Sequence, residues 1–162
     1  MQDIRVIDEK QSLDASMAVI RKSFGTVAEE LNLTPENAST HPSFVTLDQL
    51  EELRQKGLVF YGYFLDDRQV GFVAIEKADD RLHYMEKLAV LPQYRHNGYG
   101  RELVQFVLDT VANSGGKKLS IGIINEQTVL KDWYKDIGFR ETGTREFEHL
   151  PFTVGFMEID LA

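Results

Sequence analysis

A glycine-containing loop between an apolar stretch and a helical pattern carries the clearest chemical signal in the sequence. Residues 82–91 are mostly apolar, a Pro-Gln-Tyr turn follows, and residues 95–100 read Arg-His-Asn-Gly-Tyr-Gly before a helical pattern over 101–113. Such a loop aims several backbone N–H groups at one point, at the positive end of the helix dipole, where a phosphate group binds well. The pattern therefore predicts a strand, a phosphate-binding loop and a helix.

Two familiar phosphate loops fit this segment less well. A Walker A loop has Lys-Ser/Thr after its last glycine, where Arg101-Glu102 stands here, and a dinucleotide fingerprint has a third glycine that is missing here. Gly98 and Gly100 lack a Cβ atom, so a ligand can approach the main chain closely. We define the glycine loop as the predicted phosphate-binding residues Arg95, His96, Asn97, Gly98, Tyr99, Gly100 and Arg101.

Composition limits the kinds of partner. The sequence has 162 residues, which suits one domain over 1–162, and it has no cysteine, which excludes disulfides, a cysteine nucleophile and thiolate metal sites. Its four histidines are scattered, so we expect no metal site. The net charge of −8 argues against a nucleic-acid partner and suits a cationic substrate such as an amine, although acidity also serves solubility alone.

No apolar run approaches the roughly 20 residues that span a bilayer. The first residues, Met-Gln-Asp-Ile-Arg, lack the basic and apolar regions of a signal peptide. We therefore expect a cytoplasmic protein that does not contact a membrane.

The hydrophobic patterns predict a mixed α/β fold. Helices are expected from Ser12 to Phe24, with Gly25 interrupting the pattern, and over 47–56 behind a Thr46/Gln49 capping box, 101–113 and 126–137. In the last helix Val129, Leu130, Trp133 and Ile137 are the expected buried stripe. Strands are expected over 4–7, 58–65, 69–77, 82–91, 118–124, 139–147 and 152–161.

The longer string around the loop resembles a known family. Leu-Ala-Val-x-Pro-x-x-Arg-x-x-Gly-x-Gly-x-x-Leu over 88–103 is similar to the central motif of the GNAT superfamily of N-acetyltransferases, whose loop holds the pyrophosphate of acetyl-CoA. The resemblance covers nearly the whole chain. It implies a GNAT-like fold, with about seven mostly antiparallel strands, a central splayed parallel pair and about four helices. It also implies acetyl-CoA as the cofactor.

The resemblance assigns the stabilisation of the thioester oxygen to the backbone. In the family the central strand carries a bulge and splays from the parallel strand after it, which leaves unpaired N–H groups beside the thioester. The corresponding residues here are Leu88, Ala89 and Val90, with Val90 the favoured donor; their side chains can at the same time belong to the core. The same backbone would pair with the pantetheine arm like an added strand.

Two further residues follow from the family's C-terminal motif. Trp133-Tyr134-Lys-Asp-Ile-Gly138-Phe139 resembles the segment in which a tyrosine reaches the sulfur, so Tyr134 is expected to give a proton to the departing thiolate or to hydrogen-bond it; the alternative is a core tyrosine, and Trp133 is read as core. Asn125 resembles the asparagine that contacts the pantetheine arm, although its spacing to Tyr134 is two residues longer than the commonest pattern.

Glu86 is the candidate general base, because it is an acid in the middle of an apolar strand. Strict alternation puts it on one face with Tyr84 and Leu88. Burial would raise its pKa, and it could then take the amine proton directly or through a water. The alternative is an ion pair with Lys87 or a neighbouring strand on a solvated face, and Glu76 is a reserve base.

These residues imply an N-acetyltransferase that moves the acetyl group of acetyl-CoA to a primary amine of a small molecule, by direct attack in a ternary complex. The loop with Thr40, His41, Ser43 and Phe44 is where the family builds its acceptor pocket. The alternatives are acetylation of a protein N-terminus or lysine, and a non-catalytic sensor that only binds acyl-CoA. A homodimer joined through the last strands is left open.

Overall fold

Seven strands form one mixed sheet in the computed structural model, which describes residues 1–161. The strands are β1 (Gln2–Ile7), β2 (Val59–Leu65), β3 (Arg68–Lys77), β4 (Leu82–Val90), β5 (Lys118–Ile124), β6 (Arg140–Glu146) and β7 (Thr153–Asp160). The helices are α1 (Asp14–Glu30), α2 (Leu47–Gln55), α3 (Tyr99–Asn113) and α4 (Thr128–Ile137), with short 3₁₀ turns at Pro42–Phe44 and Pro92–Tyr94. The strand order is β1-β2-β3-β4-β5-β7-β6.

The middle of the sheet is covered on both faces. In β3 every residue from Val70 to Ile75 is buried, which requires packing on both sides of the strand. Helices α1 and α3 both contact β3 and β4 and supply that packing. All neighbouring strands are antiparallel except β4 and β5. The predicted mixed sheet with four helices is confirmed.

Local sequence signals explain several element boundaries. The Thr46 hydroxyl accepts a hydrogen bond from the Gln49 amide, and the Gln49 side chain accepts one from the Thr46 amide, so the predicted capping box starts α2. In α3 the residues Leu103, Val107 and Val111 are buried, as their spacing predicts.

Two helix predictions were wrong. Helix α1 continues through Gly25 to Glu30, because the packing of α1 on the sheet outweighs the roughly 1 kcal/mol by which glycine disfavours a helix relative to alanine. In α4 the side chain of Val129 is 84% exposed, and Tyr134 is the fully buried member of the helix instead. The turn that starts α4 begins at Thr128, so Val129 lies at its solvent-facing edge.

The parallel pair β4–β5 is joined at one end only. Pairing runs from Leu82 with Lys118 to Tyr84 with Ser120 and then stops, while the rest of β5 stays paired with β7. The predicted splay is therefore present. We call the space between residues 85–90 of β4 and residues 121–124 of β5 the β4–β5 gap.

A bulge in β4 coincides with the gap. Glu86 pairs with Ala74 and Ala89 pairs with Phe72, so the two residues Lys87 and Leu88 stand opposite the single residue Val73 of β3. Lys87 has φ 56°, in the left-handed region. The bulge shifts the alternation by one residue. Ala89, not Leu88, is therefore the next residue of β4 on the face of Glu86, and the strict alternation expected from the sequence was wrong.

Candidate functional site

The glycine loop, the end of β4 and helix α4 converge beside the β4–β5 gap. A Cβ atom placed on Gly100 would lie 3.7 Å from the Trp133 ring and 3.9 Å from Val90 Cγ2. Trp133 and Val90 are partly buried and pack against the main hydrophobic core. The loop is thus held directly against the two elements that border the gap.

The loop geometry leaves several N–H donors at one place. His96 and Gly98 adopt positive φ values of 66° and 83°, and the Asn97 side-chain amide donates to the carbonyl oxygens of Tyr94 and Arg95. The first hydrogen bond of α3 runs from the Glu102 amide to the Gly98 carbonyl. The amides of the helix's first turn therefore remain available to an anion.

The outer side of the loop is open. His96, Asn97, Gly98 and Arg101 are exposed, and a Cβ atom on Gly98 would meet nothing within 4 Å. A phosphate group could therefore reach the backbone of the loop, and the Arg101 guanidinium lies on the same exposed segment.

The Arg95 side chain lies away from the loop. Its guanidinium donates to the Ser23 carbonyl at 2.8 Å and to Thr26 Oγ1 at 3.3 Å, both on α1. The side chain thus ties the loop to α1. The prediction that Arg95 binds a phosphate group therefore applies to its backbone, because its side chain is engaged by α1.

Ser23 is a neighbour of the gap that the sequence reasoning missed. Its Oγ accepts a hydrogen bond from the Val90 N–H at 3.3 Å, so this N–H turns away from β3 toward α1. Leu88 and Val90 are partly buried and Ala89 is buried. The signal was the spacing of Ser16, Val19 and Ser23 at i, i+3 and i+7, which places the two serines beside Val19 on the buried side of α1.

Glu86 is a half-buried carboxyl with an unsatisfied oxygen. Within residues 1–161 its Oε2 is buried and has no hydrogen-bond partner. Burial raises the pKa of Glu86, the nearby Lys87 opposes this rise, and the nearby Glu76 adds to it. An unpaired, desolvated carboxylate of this kind is ready to accept a proton.

Tyr134 lies inside the protein with its ring between two others. The ring is 4.9 Å from Trp133 and 5.3 Å from Phe139, both edge to face, and the residue is 5% exposed. Burial raises the pKa of the phenol above its ordinary value, so the hydroxyl keeps its proton at neutral pH.

Asn125, directly after β5, is held by α4. Its Oδ1 accepts a hydrogen bond from Lys131 Nζ at 2.7 Å, and Lys131 also pairs with Glu141 of β6 at 2.9 Å. A Cβ atom on Gly155 would stand 2.8 Å from Asn125 Oδ1, so the glycine leaves the space that the amide fills. Contact with a pantetheine arm stays a prediction.

The loop expected to shape the acceptor pocket packs tightly. His41 Nδ1 lies 2.6 Å from Ser43 Oγ, and its ring meets Phe24, Phe44 and Phe152 edge to face at 5.8 to 6.4 Å. Burial lowers the pKa of His41 to about 4, so the imidazole is neutral at pH 7. Through His41 the loop therefore packs against both α1 and the segment before β7.

Within residues 1–161, no three His, Cys, Asp or Glu side chains gather closely enough to hold a metal ion. No helix in the same range is long and apolar enough to cross a membrane.

The fold is shared with solved acetyltransferases. The PaiA N-acetyltransferase of Thermoplasma acidophilum, in complex with coenzyme A, superposes with a TM-score of 0.78 at 18% identity and 99% coverage of both chains. The ribosomal-protein-S18-alanine N-acetyltransferase of Escherichia coli gives 0.75 at 15% identity, over 100% of this chain and 95% of that one. At these identities the likeness establishes the fold alone.

Sequence comparison establishes the family. Uncharacterized N-acetyltransferases of Mycobacterium bovis and Mycobacterium tuberculosis are 33% identical over 82 residues, which are 51% of this chain and 53% of each relative. The match thus spans about half the length of these relatives. The family model of the acetyltransferase (GNAT) family matches residues 24–139, and the chain belongs to this family.

Proposed function

We propose that this protein is an acetyl-CoA-dependent N-acetyltransferase that acetylates a primary amine of a small molecule. The observation that carries the proposal is the β4–β5 gap. One strand is bulged and separated from its parallel neighbour, and a loop with unpaired helix-start amides stands at its end. The chain's membership of the GNAT family supports acetyl transfer as the reaction.

The residues present fit coenzyme A. The exposed glycine loop offers backbone donors to a pyrophosphate, with the positive end of the α3 dipole behind them. The open edge of β4 offers ladder positions to a pantetheine arm, because β5 no longer uses them beyond Tyr84. Bound there, acetyl-CoA would supply the activated acetyl group.

Three tasks fall to the chain's own residues. Glu86 accepts the proton that the amine loses, a role suited to its raised pKa and its unpartnered oxygen. The end of β4 stabilises negative charge on the thioester oxygen. Tyr134 hydrogen-bonds to the departing sulfur or gives it a proton, and because burial raises the pKa of the phenol, its hydroxyl stays protonated for this role.

The charge of the chain supports an amine as the acceptor. A net charge of −8 favours approach of a cationic amine over an anionic acceptor. A peptide N-terminus or a lysine is also an amine and belongs in the same test.

The test is release of free CoA thiol from acetyl-CoA across a panel of small amines and short peptides, with reactions lacking an amine as the background. We expect turnover with at least one class of small primary amine, together with a rise in Tm on adding acetyl-CoA. Turnover on peptides alone would move the acceptor to a polypeptide. A rise in Tm without turnover on any amine would instead favour an acyl-CoA sensor, and no rise in Tm would contradict the proposal.

A further inference from the structure

Helix α1 carries two buried serines whose hydrogen bonding differs. Ser16 and Ser23 are seven residues apart, lie on the same side of the helix, and are 0% and 8% exposed. Ser16 is fully satisfied by one partner: its Oγ lies 3.3 Å from Gln69 Oε1, to which it donates, and 3.0 Å from Gln69 Nε2, from which it accepts. Ser23 has no such two-way partner.

The Ser23 oxygen only accepts hydrogen bonds. The Val90 N–H donates to Oγ at 3.3 Å, and Arg95 Nη2 donates to it at 3.5 Å. These two donors occupy the lone pairs of the hydroxyl, so its own hydrogen points elsewhere. No hydrogen bond from this hydroxyl to an acceptor in residues 1–161 is present. A buried donor without an acceptor is unfavourable, so this hydroxyl is free to donate to an acceptor that a ligand brings.

The surroundings of Ser23 favour negative charge. The Arg95 guanidinium makes four hydrogen bonds, all to uncharged oxygens of Ser23 and Thr26. Its positive charge is therefore not neutralised by these partners, and it lies next to the Ser23 hydroxyl. A cation that donates to a hydroxyl oxygen makes the O–H a stronger donor.

We propose that the Ser23 hydroxyl donates the hydrogen bond that stabilises the thioester oxygen during acetyl transfer, with Val90 and Arg95 as positioning residues behind it. This inference rests on the proposed function. It changes the role expected for the Val90 N–H, which acts through Ser23 Oγ instead of contacting the thioester oxygen directly.

The electron movements are as follows. The amine nitrogen forms a bond to the carbonyl carbon, and the carbonyl π pair moves onto oxygen. Ser23 donates a hydrogen bond to this oxygen without giving up its proton. When the pair returns, the carbon–sulfur bond breaks, its pair leaves with sulfur, and sulfur receives the Tyr134 proton. The amine proton goes to Glu86, so the products are the N-acetylated amine and free CoA thiol.

The experiment compares Ser23→Ala with Ser23→Thr and with the matched control Ser16→Ala, using the amine found in the panel. Loss of one oxyanion donor typically lowers kcat about 100-fold, so we expect that loss for Ser23→Ala, with a smaller rise in KM for acetyl-CoA because the same hydrogen bond forms more weakly in the ground state. Ser23→Thr keeps a hydroxyl and should retain most of the activity. Ser16→Ala should lower Tm and leave kcat unchanged.

A binding measurement covers the case in which no acceptor is found. Free CoA lacks the thioester carbonyl oxygen, so calorimetry should show that Ser23→Ala weakens acetyl-CoA binding and leaves CoA binding as it is. Wild-type turnover with an unaltered kcat in Ser23→Ala would overturn the inference but keep the proposed function. Equal effects of the substitution on both ligands, or none on either, would also overturn it. Absence of both turnover and CoA binding in the wild type would remove the proposed function itself.

Discussion

The two halves of β4 differ in the hydrogen bonding of their backbone to the neighbouring strands. From Leu82 to Tyr84 the strand is hydrogen-bonded to β3 on one side and to β5 on the other. Beyond Tyr84 the strand stays paired with β3, is no longer paired with β5, and carries a bulge at Lys87. The paired half is an ordinary interior stretch of a mixed sheet, antiparallel to β3 and parallel to β5. The separated half borders a half-buried carboxyl with an unpartnered oxygen, a buried serine that only accepts, and a loop with free helix-start amides.

One half of β4 therefore contributes mainly to stability, and the other half borders the groups that can act in the reaction. The backbone groups of the paired half are hydrogen-bonded within the sheet and are not available to a ligand. Groups at the separated half are held in place by β3 and α1 yet keep unused hydrogen-bonding capacity, as a preorganised site requires. Substitutions at the two halves should therefore change different measurable quantities.

The largest effect is expected at the glycine loop. In Gly100→Glu a carboxylate would stand against the pyrophosphate, and like charges about 4 Å apart cost about 4 kcal/mol near a protein surface, or about 1,000-fold in Kd. Calorimetry with CoA measures this loss. Gly100→Ala is the control, since its methyl group would only reach ordinary contact with Trp133 at 3.7 Å. Retained CoA affinity in Gly100→Glu would place the phosphates elsewhere.

Glu86→Gln should lower kcat/KM by about 100- to 1,000-fold, the usual contribution of a general base. The loss should be greatest toward low pH, where the amine most needs deprotonation, and should shrink as pH rises toward the amine's own pKa. Because the pKa of Glu86 is raised in the folded state, its ionisation destabilises the fold as pH rises through that value. Glu86→Gln should therefore also raise Tm at pH 7. An unchanged pH profile would assign the base elsewhere, with Glu76→Gln the next variant to measure.

Tyr134→Phe should lower kcat about tenfold with KM for acetyl-CoA unchanged. The effect is modest because a thiolate, whose conjugate acid has a pKa of about 8.5, departs readily without full protonation. Since the pKa of Tyr134 is raised by burial, wild-type activity should show no loss from this residue near the ordinary tyrosine pKa of 10.0. Single-turnover kinetics measures the chemical step, and a rate equal to wild type would remove Tyr134 from the mechanism.

The smallest effect on turnover is expected at the paired half. Leu119 in β5 is fully buried opposite His83, so Leu119→Val should cost about 1 to 2 kcal/mol of unfolding free energy through lost packing. Denaturant unfolding measures this cost, and kcat should stay at the wild-type value. A large fall in kcat would mean that the two halves of β4 are not separable.

Patterns local in sequence predicted most of the fold. Apolar and aromatic runs bounded by turn residues located most strands, with alternation marking the first, the Thr46 capping box started α2, and the strand–loop–helix segment located the glycine loop. Gly25 misled the prediction because a glycine's local cost was outweighed by packing on distant strands. Val129 misled it because the apolar spacing of α4 does not reveal where the helix meets solvent at its first turn.

The candidate site was less predictable, because its geometry depends on contacts distant in sequence. The Arg95 guanidinium reaches α1 residues that precede it by about seventy positions, and nothing near Arg95 indicates this. Ser23 is one serine among several until the fold brings it to Val90. Only its place on the buried side of α1 was visible in the sequence.

Hydrogen exchange of backbone amides, with and without acetyl-CoA, tests most directly whether the separated half of β4 and the glycine loop form the donor site. We expect added protection over residues 86–90 and 96–101, and no change over 82–84 and 118–120, which the sheet already protects. Protection confined to other parts of the chain, or no change over the gap and the loop at saturating acetyl-CoA, would contradict this assignment.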